Sequence, residues 1–384
     1  MQGRAFAGPI AGFAALGAFW GGWAVLVPTV QLAVGASKGT LGLALLGIAV
    51  GALPPMLAFG RLIDRGLRRP LPLSLAALAG CGLLPALAGS TWTLGVALVA
   101  VGACSGLVDV AINNEVAGLE AATGRRRMQL AHGVYSLGVI GGAVVCGLLR
   151  QVGLGRLAIL AAIGGIVLAA AAANVRGRAF QVTTCHKDGR ATESRGRFRP
   201  GRALLLLGLA AAAAFVVESG IENWSALFLQ RTLGAGAAAS SAGPASYATA
   251  MAAGRLAGQR ITGRLADRTL LAGGALLSVA GLAAASLAPS VPVAAAAFFV
   301  GGAGVSVAAP IFFSAAGRLA PAPERAGAVA TLTTVGYSGF LVGPPLVGGI
   351  AQAVGLRASF AALAGIALLL GLATPRLALP GRGQ

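Results

Sequence analysis

The chain nearly repeats itself, and that restricts its fold more than any other feature. Gly60-Arg61-Leu62-Ile63-Asp64-Arg65 recurs as Gly263-Arg264-Leu265-Ala266-Asp267-Arg268, 203 positions later. Tyr135-Ser136 with Gly141, Val145 and Gly147 recurs as Tyr337-Ser338 with Gly343, Val347 and Gly349, at an offset of 202. Two echoes at almost one offset imply two homologous halves. Between the echoes run apolar stretches of about 20 residues, the length a helix needs to cross a bilayer. With 57% hydrophobic residues, only 10% charged residues and 60 Gly, the composition is that of a polytopic helical membrane protein. Soluble domains carry roughly 25% charge. Small residues let membrane helices approach closely, and a membrane β-barrel would show shorter, alternating segments instead.

The formal charge of +19 does not indicate nucleic-acid binding, because no basic domain interleaved with aromatics is present and the charge belongs to loops. Cys81, Cys104 and Cys146 lie in apolar stretches and Cys185 lies in a basic loop, which gives neither a disulfide framework nor a metal spacing. Cys185-His186 lacks the second ligand pair that a zinc site needs. No Walker motif or other cofactor signature occurs, so no cofactor, metal or catalytic residue is expected, and the chain does not read as an enzyme. The first apolar segment is too long for a signal peptide and reads as a retained helix.

Twelve spans fit the sequence, at about 6–29, 40–60, 71–89, 92–118, 129–149, 156–175, 203–229, 240–262, 270–288, 291–317, 326–349 and 356–374. Residues 176–202 hold Arg176, Arg178, Lys187, Arg190, Arg195, Arg197, Arg199 and Arg202 with almost no apolar residues, as expected of a flexible basic linker. The expected organisation is an all-α fold. It comprises a six-helix bundle over 1–175, the cytoplasmic linker, and a second six-helix bundle with a short cytoplasmic tail over 203–384. With both termini inside, Lys38, Arg150, Arg156, Arg231 and Arg357 lie outside and the other twenty-four of the 29 basic residues lie inside. The positive-inside rule selects that orientation.

Twelve spans in two halves, a basic central loop and Gly-x-x-x-Asp-Arg after the second and eighth spans resemble the major facilitator superfamily over essentially the whole chain. The family's loop signature continues with a Gly and two basic residues. The first copy here supplies Gly66, one position early, and Arg68-Arg69, while the second copy stops at Arg268. Within the superfamily, Asp109-Val110-Ala111-Ile112-Asn113, His132-Gly133-Val134-Tyr135-Ser136-Leu137-Gly138, Asn223-Trp224-Ser225-Ala226-Leu227 and Gly343-Pro344-Pro345 are similar to a bacterial branch near the fucose permease-like proteins. The resemblance implies a monomeric inner-membrane secondary transporter, with alternating access to a small organic solute and proton-coupled symport. The alternative is proton-antiport efflux of drugs or metabolites. Antiporters of the superfamily often carry Gly-Pro-x-x-Gly-Gly in span five, which here has Gly141-Gly142 without the proline. It also implies a cytoplasmic gate built on Gly60, Asp64, Arg65 and Arg68 and on Gly263, Asp267 and Arg268, where an Asp beside an Arg is held as a charged partner. The competing reading is that these residues only mark topology.

Charges inside spans are costly, and are functional candidates by default. Asp109 lies in span four, Glu218 in mid-span seven, and Glu222 one turn further on the same face. Two close carboxyls cannot easily both ionise in a low-dielectric site, so one of the pair is expected to hold a proton near neutral pH, as a proton-coupled carrier requires. Asp109 and Asn113 likewise share a face. The competing reading for each is a structural partner between helices. Glu115 and Glu120 are expected to pair with Arg125–Arg127.

His132 enters span five near the depth of Asp109 and reads either as a proton relay or as an interfacial His. Tyr135 lies one turn deeper, and Tyr337 is its repeat mate. Trp20 in span one maps onto Asn223 in span seven, and both are candidates for lining a solute path. Trp23 and Trp92 read as members of an interfacial aromatic belt. Gln31, Thr331, Thr333 and Thr334 are minor candidates for polar lining.

Overall fold

The computed structural model describes residues 6–64, 67, 69–123, 127–176, 201–261, 265–321 and 324–379. The described residues form α1 (Ala7–Ala33), α2 (Lys38–Asp64), α3 (Pro70–Cys81), α4 (Leu84–Leu87), α5 (Thr91–Thr123), α6 (Met128–Gln151) and α7 (Arg156–Arg176) before the basic segment. After it come α8 (Arg202–Thr232), α9 (Ala242–Ile261), α10 (Asp267–Leu287), α11 (Val291–Val305), α12 (Ala308–Leu319), α13 (Arg325–Val354) and α14 (Leu356–Ala373). Helix is what such segments must form, because in lipid each backbone N–H and C=O has to be satisfied within its own segment.

These helices give twelve segments, since α3 with α4 and α11 with α12 each make one interrupted span. Both interruptions fall two to four residues before a proline. Pro85 cannot donate to the Cys81 carbonyl and Pro310 cannot donate to that of Ser306, so the ladder breaks there. Pro28, Pro54, Pro55, Pro344 and Pro345 stay inside continuous helices. Ten of the segments are long and apolar enough to cross a membrane by length and composition. The other two, α9 and α13, carry Tyr247, Thr249 and Arg255, and Thr331, Thr333, Thr334 and Tyr337.

The packing repeats with the sequence. Helix α1 packs on α6 and α7, and α3 packs on α5 and α7. In the second half α8 packs on α13 and α14, and α10 packs on α11 and α14. Small details repeat too. Arg156 Nη2 donates to the Ala88 carbonyl at 3.2 Å, and Arg357 Nη2 donates to that of Ala288 at 2.9 Å. The turns before these arginines hold Gly153 and Gly355 at φ +84° and +95°, the left-handed region that favours glycine.

The two sets of helices meet through α2 against α13, α6 against α9 and α1 against α8. Under the repeat, the first two contacts exchange. At the end of the helices away from the chain termini this contact is tight. A methyl on Gly42 would stand 2.6 Å from the Pro344 carbonyl, and one on Gly348 would stand 2.7 Å from that of Lys38. Among the described residues, the hydrogen bonds between the two sets all lie at that end.

Candidate functional site

Between the two sets lies a chamber whose walls come from both. Two adjoining cavities of about 230 and 320 Å³ share Trp20, Ala52, Met56, Tyr135, Glu222, Tyr337 and Phe340 in their linings. The first also takes Asn223 and Pro344, and the second takes Asp109, His132, Glu218, Tyr247 and Arg255. A third cavity of about 480 Å³ continues from His132, Ser136 and Arg255 and is otherwise walled mainly by apolar residues of α9 and α12, such as Leu256, Ile311 and Phe313.

The positions of the lining side chains follow from close helix packing. Gly17 and Gly21 of α1 leave no room for a Cβ against the α6 backbone at Tyr135 and Val139, so α6 rides directly on α1. That contact brings Tyr135 to the chamber wall. On the other side, Tyr337 and Phe340 stand edge-on at 5.7 Å, and Phe215 stacks on Phe340 at 4.9 Å behind them. Trp20 is oriented by its indole N–H, which donates to Ser105 Oγ at 3.1 Å. Its repeat mate Asn223 donates to the Ser219 carbonyl at 2.9 Å.

Three carboxyls face the chamber with one guanidinium. Arg255 Nη2 stands 4.0 Å from Glu218 Oε1, and the buried Tyr247 lines the same cavity. Glu222 follows one turn later on α8, between the aromatic walls. Across the chamber, Asp109 Oδ1 accepts from Asn113 Nδ2 at 3.1 Å, and the same amide reaches the Asp109 carbonyl at 2.9 Å. Asn113 therefore acts on Asp109 rather than on the chamber. His132 sits where the polar and apolar cavities join, with Phe13 edge-on at 5.0 Å.

Other candidates lie elsewhere. Thr331, Thr333 and Thr334 each donate to the carbonyl four residues back. Trp92 is exposed, as a belt residue is. Trp23 departs from the belt reading: it is 1% exposed, inside the protein, because its face of α1 packs within the first set of helices. Glu120 accepts from the Arg127 and Met128 backbone amides and so holds the entry to α6, whereas Glu115 Oε2 is buried with no hydrogen-bond partner among the described residues.

At the termini end, Arg318 Nη2 donates to Asp267 Oδ2 at 2.5 Å, and Arg268 donates to the Leu377 carbonyl at 3.2 Å. Both contacts stay within the last six spans. The side chains of Asp64, Arg65 and Arg68, and the positions of Gly60 and Gly263 as a repeat pair, lie outside the described residues.

Sequence reasoning did not single out Arg255 and Tyr247. Arg255 carried a signal, being a charge inside an apolar span; counting it toward topology concealed it. Nothing in the sequence marked Tyr247.

The family model described as Major Facilitator Superfamily matches residues 10–277 and 207–382. An uncharacterized MFS-type transporter of Yersinia pestis is 34% identical over 347 residues, covering 89% of this chain and 88% of that protein. Membrane protein MosC of Rhizobium meliloti is 30% identical over 338 residues, covering 87% and 80%. Among solved structures, a bacterial homolog of the human lysosomal transporter Spinster, inward-facing and occupied, gives a TM-score of 0.74 at 17% identity over 96% of each chain. The nucleoside transporter NupG gives 0.72 at 13%, over 97% of this chain and 98% of its own. The fucose:proton symporter FucP of E. coli gives 0.61 at 17%, over 97% and 99%.

Proposed function

The chain belongs to the major facilitator superfamily of secondary transporters, and on that premise we propose that it is a proton-coupled symporter of a small polar organic solute. It works in the bacterial inner membrane, as a monomer with both termini cytoplasmic. Residues 1–175 and 203–384 are the two units that rock about the chamber, joined by 176–202.

The observation that carries this reading is the placement of Asp109, Glu218 and Glu222 on a shared chamber between the two sets of helices. A carboxyl facing lipid would be far more costly, so a carboxyl facing a chamber can exchange a proton with it. Glu218 has Arg255 as its partner, which lets a proton, a solute or the guanidinium compete for one carboxylate. Competition of that kind couples two ligands. Asp109 with Asn113 is the second proton candidate, and His132 stands near it as a relay. Trp20, Tyr135 and Tyr337 offer faces for a ring or an apolar edge of the solute, and Asn223 offers an amide.

The orientation follows from the concentration of Lys and Arg at the termini end. In that frame the hydrogen-bonded end is the outer one, and the chamber drains toward the cytoplasm through the apolar cavity beside His132.

The apolar cavity of about 480 Å³ favours a second reading, proton-antiport efflux of an amphipathic compound. Purified protein in liposomes separates the two. Symport predicts that solute accumulates when the lumen is alkaline, and antiport predicts accumulation when it is acidic. Accumulation that ignores the pH gradient would remove proton coupling.

A further inference from the structure

We propose that the outer gate is a pair of glutamine latches at corresponding ends of the repeated helices α6 and α13, one of them reinforced by Arg150. Gln352, at the end of α13, accepts from the Lys38 amide at the start of α2, at 3.2 Å. Gln151, at the end of α6, accepts from the Ala238 amide ahead of α9, at 3.4 Å. The two glutamines are 201 positions apart, one short of the 202 that relates α6 to α13, and each lies on one set of helices while its donor lies on the other. Each therefore supplies, across the boundary, an acceptor for an amide that a helix start leaves unsatisfied. When the outer end opens, that amide loses its partner, so the bond exists only in the closed state.

At the 202 offset Arg150 is the repeat mate of Gln352 and Gln151 that of Ala353, so the first set adds a charged donor where the second has an amide. Arg150 Nη1 donates to the Val25 carbonyl of α1 at 2.8 Å and to Ser240 Oγ at 3.1 Å, and its Nη2 donates to Gln230 Oε1 at 2.8 Å. One guanidinium thus ties α1 and α6 of the first set to α8 and the turn ahead of α9 of the second. Its bonds are half-buried and charge-assisted, and those of the glutamines are exposed and neutral, so Arg150 dominates the latch. This inference rests on the alternating-access reading and concerns the opposite end of the molecule from the loop repeat.

Ala49 lines the chamber just below this closure. The test uses the full chain with Cys81, Cys104, Cys146 and Cys185 replaced and Ala49→Cys introduced. A membrane-impermeant maleimide is then added outside intact cells. Arg150→Ala is expected to raise the labelling rate about tenfold and Gln352→Ala about threefold, the ranking that charged and neutral hydrogen bonds imply. Ser240→Ala combined with Gln230→Ala removes the partners while keeping the arginine, and is expected to approach the Arg150→Ala rate. That variant decides the matter if Arg150→Ala fails to fold. Rates unchanged from the parent in the folded variants would overturn the latch. A parent that labels only from the inner side, in inverted vesicles, would count against alternating access itself, while the variants still decide the latch.

Discussion

At the scale of single residues, one rule located most of the chamber: a charged or hydrogen-bonding side chain inside an apolar span turns away from lipid. Asp109, Glu218 and Glu222 follow it, as do Trp20 and Asn223, which the repeat pairs. Arg255 follows it too, but near the end of a span a basic residue is also what topology demands, and sequence cannot separate the two. Glu218→Gln is expected to abolish pH-driven accumulation in proteoliposomes while leaving solute counterflow, because the amide keeps the shape of the protonated acid. Equal accumulation by wild type and variant would make that carboxyl structural and shift the proton to Asp109 with His132. Asp267 has a partner in its own half. Its bond to Arg318 at 2.5 Å lies within the last six spans, with 5% of the Asp267 side chain exposed. Asp267→Asn is therefore expected to cost about 2 kcal/mol as a weakened charge-assisted bond, read as a lower melting temperature in detergent. A normal melt with faster thiol labelling of the inner mouth would instead make Asp267 a latch between the halves.

At the scale of helices, borders were legible to within a few residues because a run of apolar side chains ends where charge begins. The breaks at Gly82–Leu83 and Ser306–Val307 were not anticipated. Proline alone does not signal them: Pro85 and Pro310 end a helical run, while Pro54, Pro55, Pro344 and Pro345 sit inside continuous helix. The two cases are separated only in the assembled bundle. Glycines divide in the same way. Gly17 lies against the α6 backbone at Tyr135, whereas a methyl on Gly141 would meet nothing within 4 Å. Gly17→Ala is expected to push α6 off α1 and lower stability by about 1–3 kcal/mol, as overpacking does. Gly141→Ala, although Gly141 is part of the repeated Tyr-Ser signature, is expected to be neutral. Thermal melts of the two variants side by side check this, and equal losses would contradict the packing.

At the scale of the molecule, the repeat explains why one transporter can close either end with the same parts. Helices α2 and α9 are repeat mates, as are α6 and α13, so the contact of α2 on α13 becomes that of α9 on α6 when the halves exchange roles. Both contacts are closed here at the end away from the chain termini, and opening that end must part them together. Tethering one of them should therefore stop the whole cycle. Lys38→Cys with Gln352→Cys, joined by a short bis-thiol linker on an otherwise cysteine-free chain, is expected to abolish transport while leaving the chamber reachable from the cytoplasmic side. The same double variant without linker should keep transporting, with a leakier outer end because one glutamine latch is gone. Cleaving a reducible linker should restore uptake to that level. If the tethered protein still accumulates solute, the two sets of helices do not need to separate along α2 and α13, and the rocking of two rigid halves about the chamber is the wrong description of the cycle.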